Sequence, residues 1–140
     1  MNENGLKKRV FLSLPMSGRD SSNVFEELEE MSEVVKRMIL KDDELEFVAN
    51  IMEHDDLYEL TNALHDCTDF RNESVGYLGF ALVLLASCDL AVFSKNWQYA
   101  RGCKIEHEVC KLYNIPIHYI TNEEIKGMYD KIERKINYGK

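Results

Sequence analysis

Four short runs rich in β-branched and aromatic residues, at positions 9–14 (RVFLSL), 45–52 (LEFVANIM), 89–94 (DLAVFS) and 115–120 (IPIHYI), alternate with segments of helical periodicity. A strand gains a parallel neighbour only after a crossover, and the usual crossover is a helix, so this order builds βαβ units. The expected fold class is α/β: a three-layer sandwich around a mostly parallel sheet of about four to five strands, wound in a flavodoxin-like or Rossmann-like manner. A chain of 140 residues suits one domain, spanning 1–140, with no room for a second core.

The helical segments have legible faces. Over residues 23–41, Val24, Leu28, Met31, Val35 and Met38 share one side with Phe25, Val34 and Ile39 beside them, while Glu26, Glu27, Glu29, Glu30 and Glu33 fill the other. Asn23 or a neighbouring Ser is the expected cap. Residues 73–87 are apolar nearly all round, which suits a buried helix, although Gly76 and Gly79 weaken it. Residues 102–113 put Ile105, Val109 and Leu112 on one expected packing face. Thr121 and Glu124 have capping-box spacing, and Ile125, Met128, Ile132 and Ile136 carry a final helix. Residues 57–70 are ambiguous.

Seventeen Lys and Arg against 25 Asp and Glu give a net charge of −8. The average field of such a surface repels a phosphate backbone, so polymeric DNA or RNA is not an expected partner. A small anion is not excluded, because backbone N–H groups at a helix N-terminus bind phosphate whatever the net charge. The longest apolar run, near residues 77–86, is too short for a membrane span and too far from the N-terminus for a signal. Four cysteines, Cys67, Cys88, Cys103 and Cys110, with no CxxC, fit reduced thiols in a cytoplasmic protein.

In open parallel sheets, ligands sit beyond the carboxyl ends of the strands, which singles out the loops at 15–22, 53–56 and 94–102. The first holds Pro15, Met16, Ser17, Gly18 and Arg19. Its N–H groups, its glycine and its guanidinium suit an anion, yet it has neither the Gly-Lys-Ser/Thr ending of a Walker A loop nor a three-glycine dinucleotide fingerprint. Alone it reads as a polar turn with a surface Arg.

The third loop runs through Trp97, Arg101 and Gly102 into a helix that carries Glu106 about one turn from its start. The positive end of the helix dipole is expected to keep that carboxylate ionised, as a nucleophile must be, whereas Glu108 falls on the opposite side. A Glu in such a place is most often a surface residue that complements the dipole. Cys103, His107 and Cys110 follow at i, i+4 and i+7, but a structural zinc site wants four ligands and no fourth is near, so neither metal nor cofactor is expected. The thiols read as packing residues and His107 as partly exposed. His54, His65 and His118 have no spacing that pairs them with a nucleophile. Asp55 and Asp56, after the second strand, either do acid/base work or cap a helix beginning near Leu57.

Two segments taken together, the first strand with Pro15-Met16-Ser17-Gly18 and the Asp89 strand followed by Trp97, Arg101-Gly102, Glu106 and Glu108, resemble the nucleoside 2-deoxyribosyltransferase-like superfamily. The similarity is to a small bacterial and phage branch of largely unassigned function. The resemblance implies a flavodoxin-like sandwich that binds a nucleoside or nucleoside 5′-monophosphate and attacks the anomeric carbon with a Glu, here Glu106, to form a covalent glutamyl-sugar intermediate. Pro15, Met16, Ser17, Gly18, Arg19, Asp55, Trp97, Arg101 and Gly102 would shape the ligand site. It also implies a homo-oligomer, for which the apolar helix near residues 76–86 offers an interface. The sequence departs from the family at three places: Ala81 stands where an Asp is expected, Phe11 for a Tyr, and Ala100 for a Ser. These departures set a glycosidase or transferase against a catalytically impaired module of the same fold that senses or sequesters a nucleotide.

Overall fold

The computed structural model describes residues 7–16, 18–50 and 71–138. Strands β1 (Lys8–Ser13), β2 (Leu45–Ala49), β3 (Leu90–Phe93) and β4 (Ile117–Tyr119) form one sheet in the order β2-β1-β3-β4, and every neighbouring pair is parallel. The helices are α1 (Ser21–Val34), continued by a π turn (Val35–Ile39), then α2 (Glu73–Ala86), α3 (Arg101–Leu112) and α4 (Asn122–Tyr138). A 3-10 turn (Trp97–Tyr99) precedes α3. This is the small α/β three-layer fold that the alternation implies.

Strand β4 is shorter than its apolar run for a chemical reason. Pro116 has no N–H to give the sheet, so it contributes only its carbonyl, which accepts from the Ala91 N–H at 2.9 Å. Residues 51–70, which include the end of the second apolar run, Asp55, Asp56 and the ambiguous 57–70, lie outside the described residues, as does Ser17.

Alternation along β1 separates the two buried layers. Val10, Leu12 and Leu14 pack with Val24, Met31 and Val34 of α1 and Met128 of α4. Phe11 faces the other way, with Ala91 and Phe93 of β3, against Ala81 and Leu85 of α2 and Cys110 of α3. Ser13 has the parity of Phe11, so it points at the α2/α3 layer from the carboxyl end of the strand. Successive strands lie on opposite sides of β1, which makes the β1/β3 boundary the switch point where such sheets open a crevice.

The ends of the helices follow local chemistry. Asp20, rather than Asn23 or a Ser, caps α1: its side chain accepts from the Ser22 N–H at 3.2 Å. The capping box on α4 forms as expected, with the Thr121 hydroxyl accepting from the Glu124 N–H and the Glu124 carboxylate accepting from the Thr121 N–H. Helix α3 ends on Asn114 at φ 60°, with the Ile115 N–H donating back to the Cys110 carbonyl. Helix α2 buries Phe80, Ala81 and Leu85 but leaves Val75 and Val83 exposed, so it is a surface helix with an apolar outer side. Among the described residues no helix is long and apolar enough to cross a membrane.

Candidate active site

Helix α3 turns an unexpected face inward. The buried residues are Cys103, Glu106, His107 and Cys110, whereas Ile105 is 44% and Leu112 68% exposed. The expected packing stripe is thereby corrected at Ile105 and Leu112, while Val109 packs against the core as expected. Thiols pack as small hydrophobes, and the two polar members of the stripe find partners that replace water. His107 sets its Nε2 against the Tyr119 hydroxyl, and its ring stacks on Trp97 at 4.0 Å between centroids. Burial, with Lys111 adding to it, holds the imidazole below its ordinary range, and His107 is buried where partial exposure is expected.

Glu106 is 1% exposed. Its Oε1 accepts from the Ser13 hydroxyl at 2.6 Å and from the Asn50 side-chain amide at 3.1 Å. Burial pushes the carboxyl up to about 7, against the pull of those two hydrogen bonds. Both features correct the sequence reading. The residue is no surface Glu complementing a dipole, and it titrates near neutrality instead of staying fully ionised. Burial likewise pushes Cys103 and Cys110 up to about 11, so both are neutral thiols.

Above Glu106 opens a cleft of about 470 Å³. One wall is the loop after β1, with Pro15 and Met16; α2 supplies Tyr77 and Ala81; the turn into α3 supplies Tyr99, Ala100, Arg101 and Gly102. Five residues singled out from the sequence thus meet in one place: Pro15, Met16, Arg101, Gly102 and Glu106.

Others are placed elsewhere. Arg19 folds back, donating to the Pro15 carbonyl at 2.8 Å and to Glu27 of α1 at 2.6 Å, and it does not line the cleft. Gly18 is a turn residue at φ 75°, where the Arg19 N–H reaches the Met16 carbonyl. Trp97 belongs to a ring cluster with Phe93, His107 and Tyr119, which fastens the turn before α3 to the sheet. Ser17 and Asp55 lie outside the described residues.

Ser13 and Asn50 are the residues that reading the sequence misses. The signal for Ser13 was available, since its strand parity with Phe11 aims it at α3. Asn50 follows β2 directly, and nothing in its neighbours in sequence marks it.

The three departures fall at informative points. Ala81 forms part of the cleft wall, and Phe11 lies in the core beneath it. Ala100 begins α3 without a side-chain cap, so no side chain caps the start of that helix, whose residues Ala100, Arg101 and Gly102 line the cleft. Among the described residues no group of three or more His, Cys, Asp or Glu side chains gathers as metal ligands.

No protein-family model, curated protein or solved structure matches this chain. The chemistry of the cleft therefore rests on its own residues. A buried carboxyl that titrates near neutrality, held by two donors at the floor of a cleft, is equipped for nucleophilic or acid/base work on a small molecule.

Proposed function

We propose that the protein cleaves or transfers the N-glycosidic bond of a nucleoside or nucleoside 5′-monophosphate, with Glu106 as nucleophile. The observation that carries this reading is the position of Glu106, buried yet lining a cleft beyond the carboxyl ends of β1 and β3. A carboxylate oxygen bonds to the anomeric carbon as the C–N bond breaks, and the electron pair leaves with the base, which takes up a proton. Water or a second base then attacks the same carbon and frees the carboxylate. Tyr77 and Tyr99 offer ring faces to a planar base, while Arg101 and the uncapped start of α3 favour a 5′-phosphate. No metal or cofactor is called for by this chemistry. The exposed Val75 and Val83 of α2 support assembly of copies of the chain through that helix.

Ala81 favours a second reading, a nucleotide-binding module that senses or sequesters its ligand. Among the described residues that line the cleft, Glu106 is the only carboxylate. A separate general acid is typically worth about 10²–10⁴-fold in rate, so its absence slows base departure.

The deciding experiment incubates the protein with deoxynucleosides, ribonucleosides and their 5′-monophosphates and measures free base, with Glu106→Ala as control. Base release that disappears in the variant is the expected result. No release, together with thermal stabilisation by one of the nucleotides, transfers the assignment to the binding module; a ligand held at 100 times its Kd adds about 2.7 kcal/mol.

A further inference from the structure

The two donors on Glu106 converge on one oxygen. Ser13 Oγ and Asn50 Nδ2 both reach Oε1, and Oε2 receives no hydrogen bond from any described residue. The arrangement is asymmetric, and it is fixed from outside. Asn50 cannot turn, because its Oδ1 accepts from the Leu14 N–H at 3.2 Å while its Nδ2 also donates to the Leu14 carbonyl at 3.3 Å. Its amide thus pairs with the backbone of Leu14, the residue that follows β1, and Nδ2 also donates to Glu106 Oε1 at 3.1 Å, with the Cys103 Sγ a more distant acceptor at 3.9 Å. Ser13 is held by the sheet itself, its carbonyl accepting from the Ser94 N–H at 2.9 Å.

We infer that Ser13 and Asn50 are positioning residues that grip Oε1, set the ionisation of the carboxyl group, and leave Oε2 as the oxygen presented to the cleft. The inference rests on the reading of Glu106 as nucleophile for one point, that Oε2 forms the bond to the anomeric carbon. The grip itself is independent of that reading. A nucleophilic carboxylate needs one oxygen held and one free: hydrogen bonds on the attacking oxygen would have to break before it could bond to carbon, whereas bonds on the other oxygen persist through the step.

The groups facing the carboxyl group make its titration interpretable. Ser13 comes from β1, Asn50 from the end of β2, and Cys103 and Cys110 from α3 itself, where burial keeps both thiols neutral. Arg101, Tyr77 and Tyr99 line the same cleft. The two donors favour the ionised form, so removing either raises the pH at which Glu106 loses its proton.

The test is carbon-detected NMR titration of the glutamate carboxyl groups in the full chain, with the Glu106 signal assigned by its loss in Glu106→Gln. Ser13→Ala and Asn50→Ala are each expected to move the Glu106 titration upward by about one pH unit, the size of a charge-assisted hydrogen bond. Ser13→Thr, which keeps the hydroxyl, is expected to restore the wild-type value; a purely packing role for Ser13 would not follow the hydroxyl in this way. The variants alter different strands, so either one alone carries the test if the other does not fold. An unchanged titration in the folded variants overturns the proposal, even if nucleosides are cleaved. A shifted titration with no base release upholds the grip and instead removes the reading of Glu106 as the nucleophile of glycosidic cleavage.

Discussion

Replacing Glu106 by Gln should stabilise the protein, and only above a definable pH. The carboxyl group is raised from 4.5 to about 7 by burial, so between those values the folded chain holds a proton there that the unfolded chain has released. Stability therefore falls as pH rises through that window, fully present below 4.5 and lost by the time the folded group ionises. At about 1.4 kcal/mol per unit, the loss amounts to about 3 kcal/mol by pH 8. Gln has the same shape, its Oε1 can accept from Ser13 and Asn50, and it has no proton to lose. Urea and thermal melts of both proteins at pH 5, 6, 7 and 8 should show a gap that opens with pH in favour of Glu106→Gln, to roughly 10 °C in Tm for a chain of this size. A gap that stays flat from pH 5 to 8 would refute the claim that Glu106 is buried at a desolvation cost. The variant that gains this stability is the one expected to lose base release, as befits a group kept in place for function.

Two further outcomes test the packing that builds the site. Ile105→Lys and Leu112→Lys should each change stability by less than about 0.5 kcal/mol in urea melts, because both side chains already face water; a loss of several kcal/mol in either would return α3 to the face its periodicity suggested. Trp97→Ala removes the ring stacked on His107 and the edge contact to Phe93, and a loss of about 3 kcal/mol is expected, with weaker nucleotide binding as the turn before α3 loosens; an unchanged melt would show that the ring cluster holds nothing.

The architecture was largely legible because the relevant signals are repetitive. Each strand announced itself by a short run in which leucine, β-branched and aromatic residues predominate, and the Thr121/Glu124 capping box by two residues at fixed spacing. The inward face of α3 was not, because it depends on partners distant in sequence. Glu106 and His107 look like solvent residues until β1, β2 and β4 bring Ser13, Asn50 and Tyr119 to them. Ile105 and Leu112 look like core residues until those polar groups occupy the inside. Arg19 shows the same limit from the other side: a guanidinium beside a glycine suits an anion in one dimension, but in three it is spent on Glu27.

The ionisation of Glu106 is the clearest case of two correct principles with one winner. A helix N-terminus lowers a nearby carboxyl by about 0.3–1 kcal/mol, under one pH unit, and the effect fades beyond the first turn. Glu106 is already past that turn of α3 and 1% exposed. Burial moves it by more than two units in the opposite direction, from 4.5 to about 7. Which effect dominates thus depends on depth, and depth depends on which face of α3 meets the sheet. The same burial that upsets the expectation of a permanently charged group leaves a carboxyl half-ionised near neutral pH. Ser13 and Asn50 then decide how much of it stands ready as carboxylate.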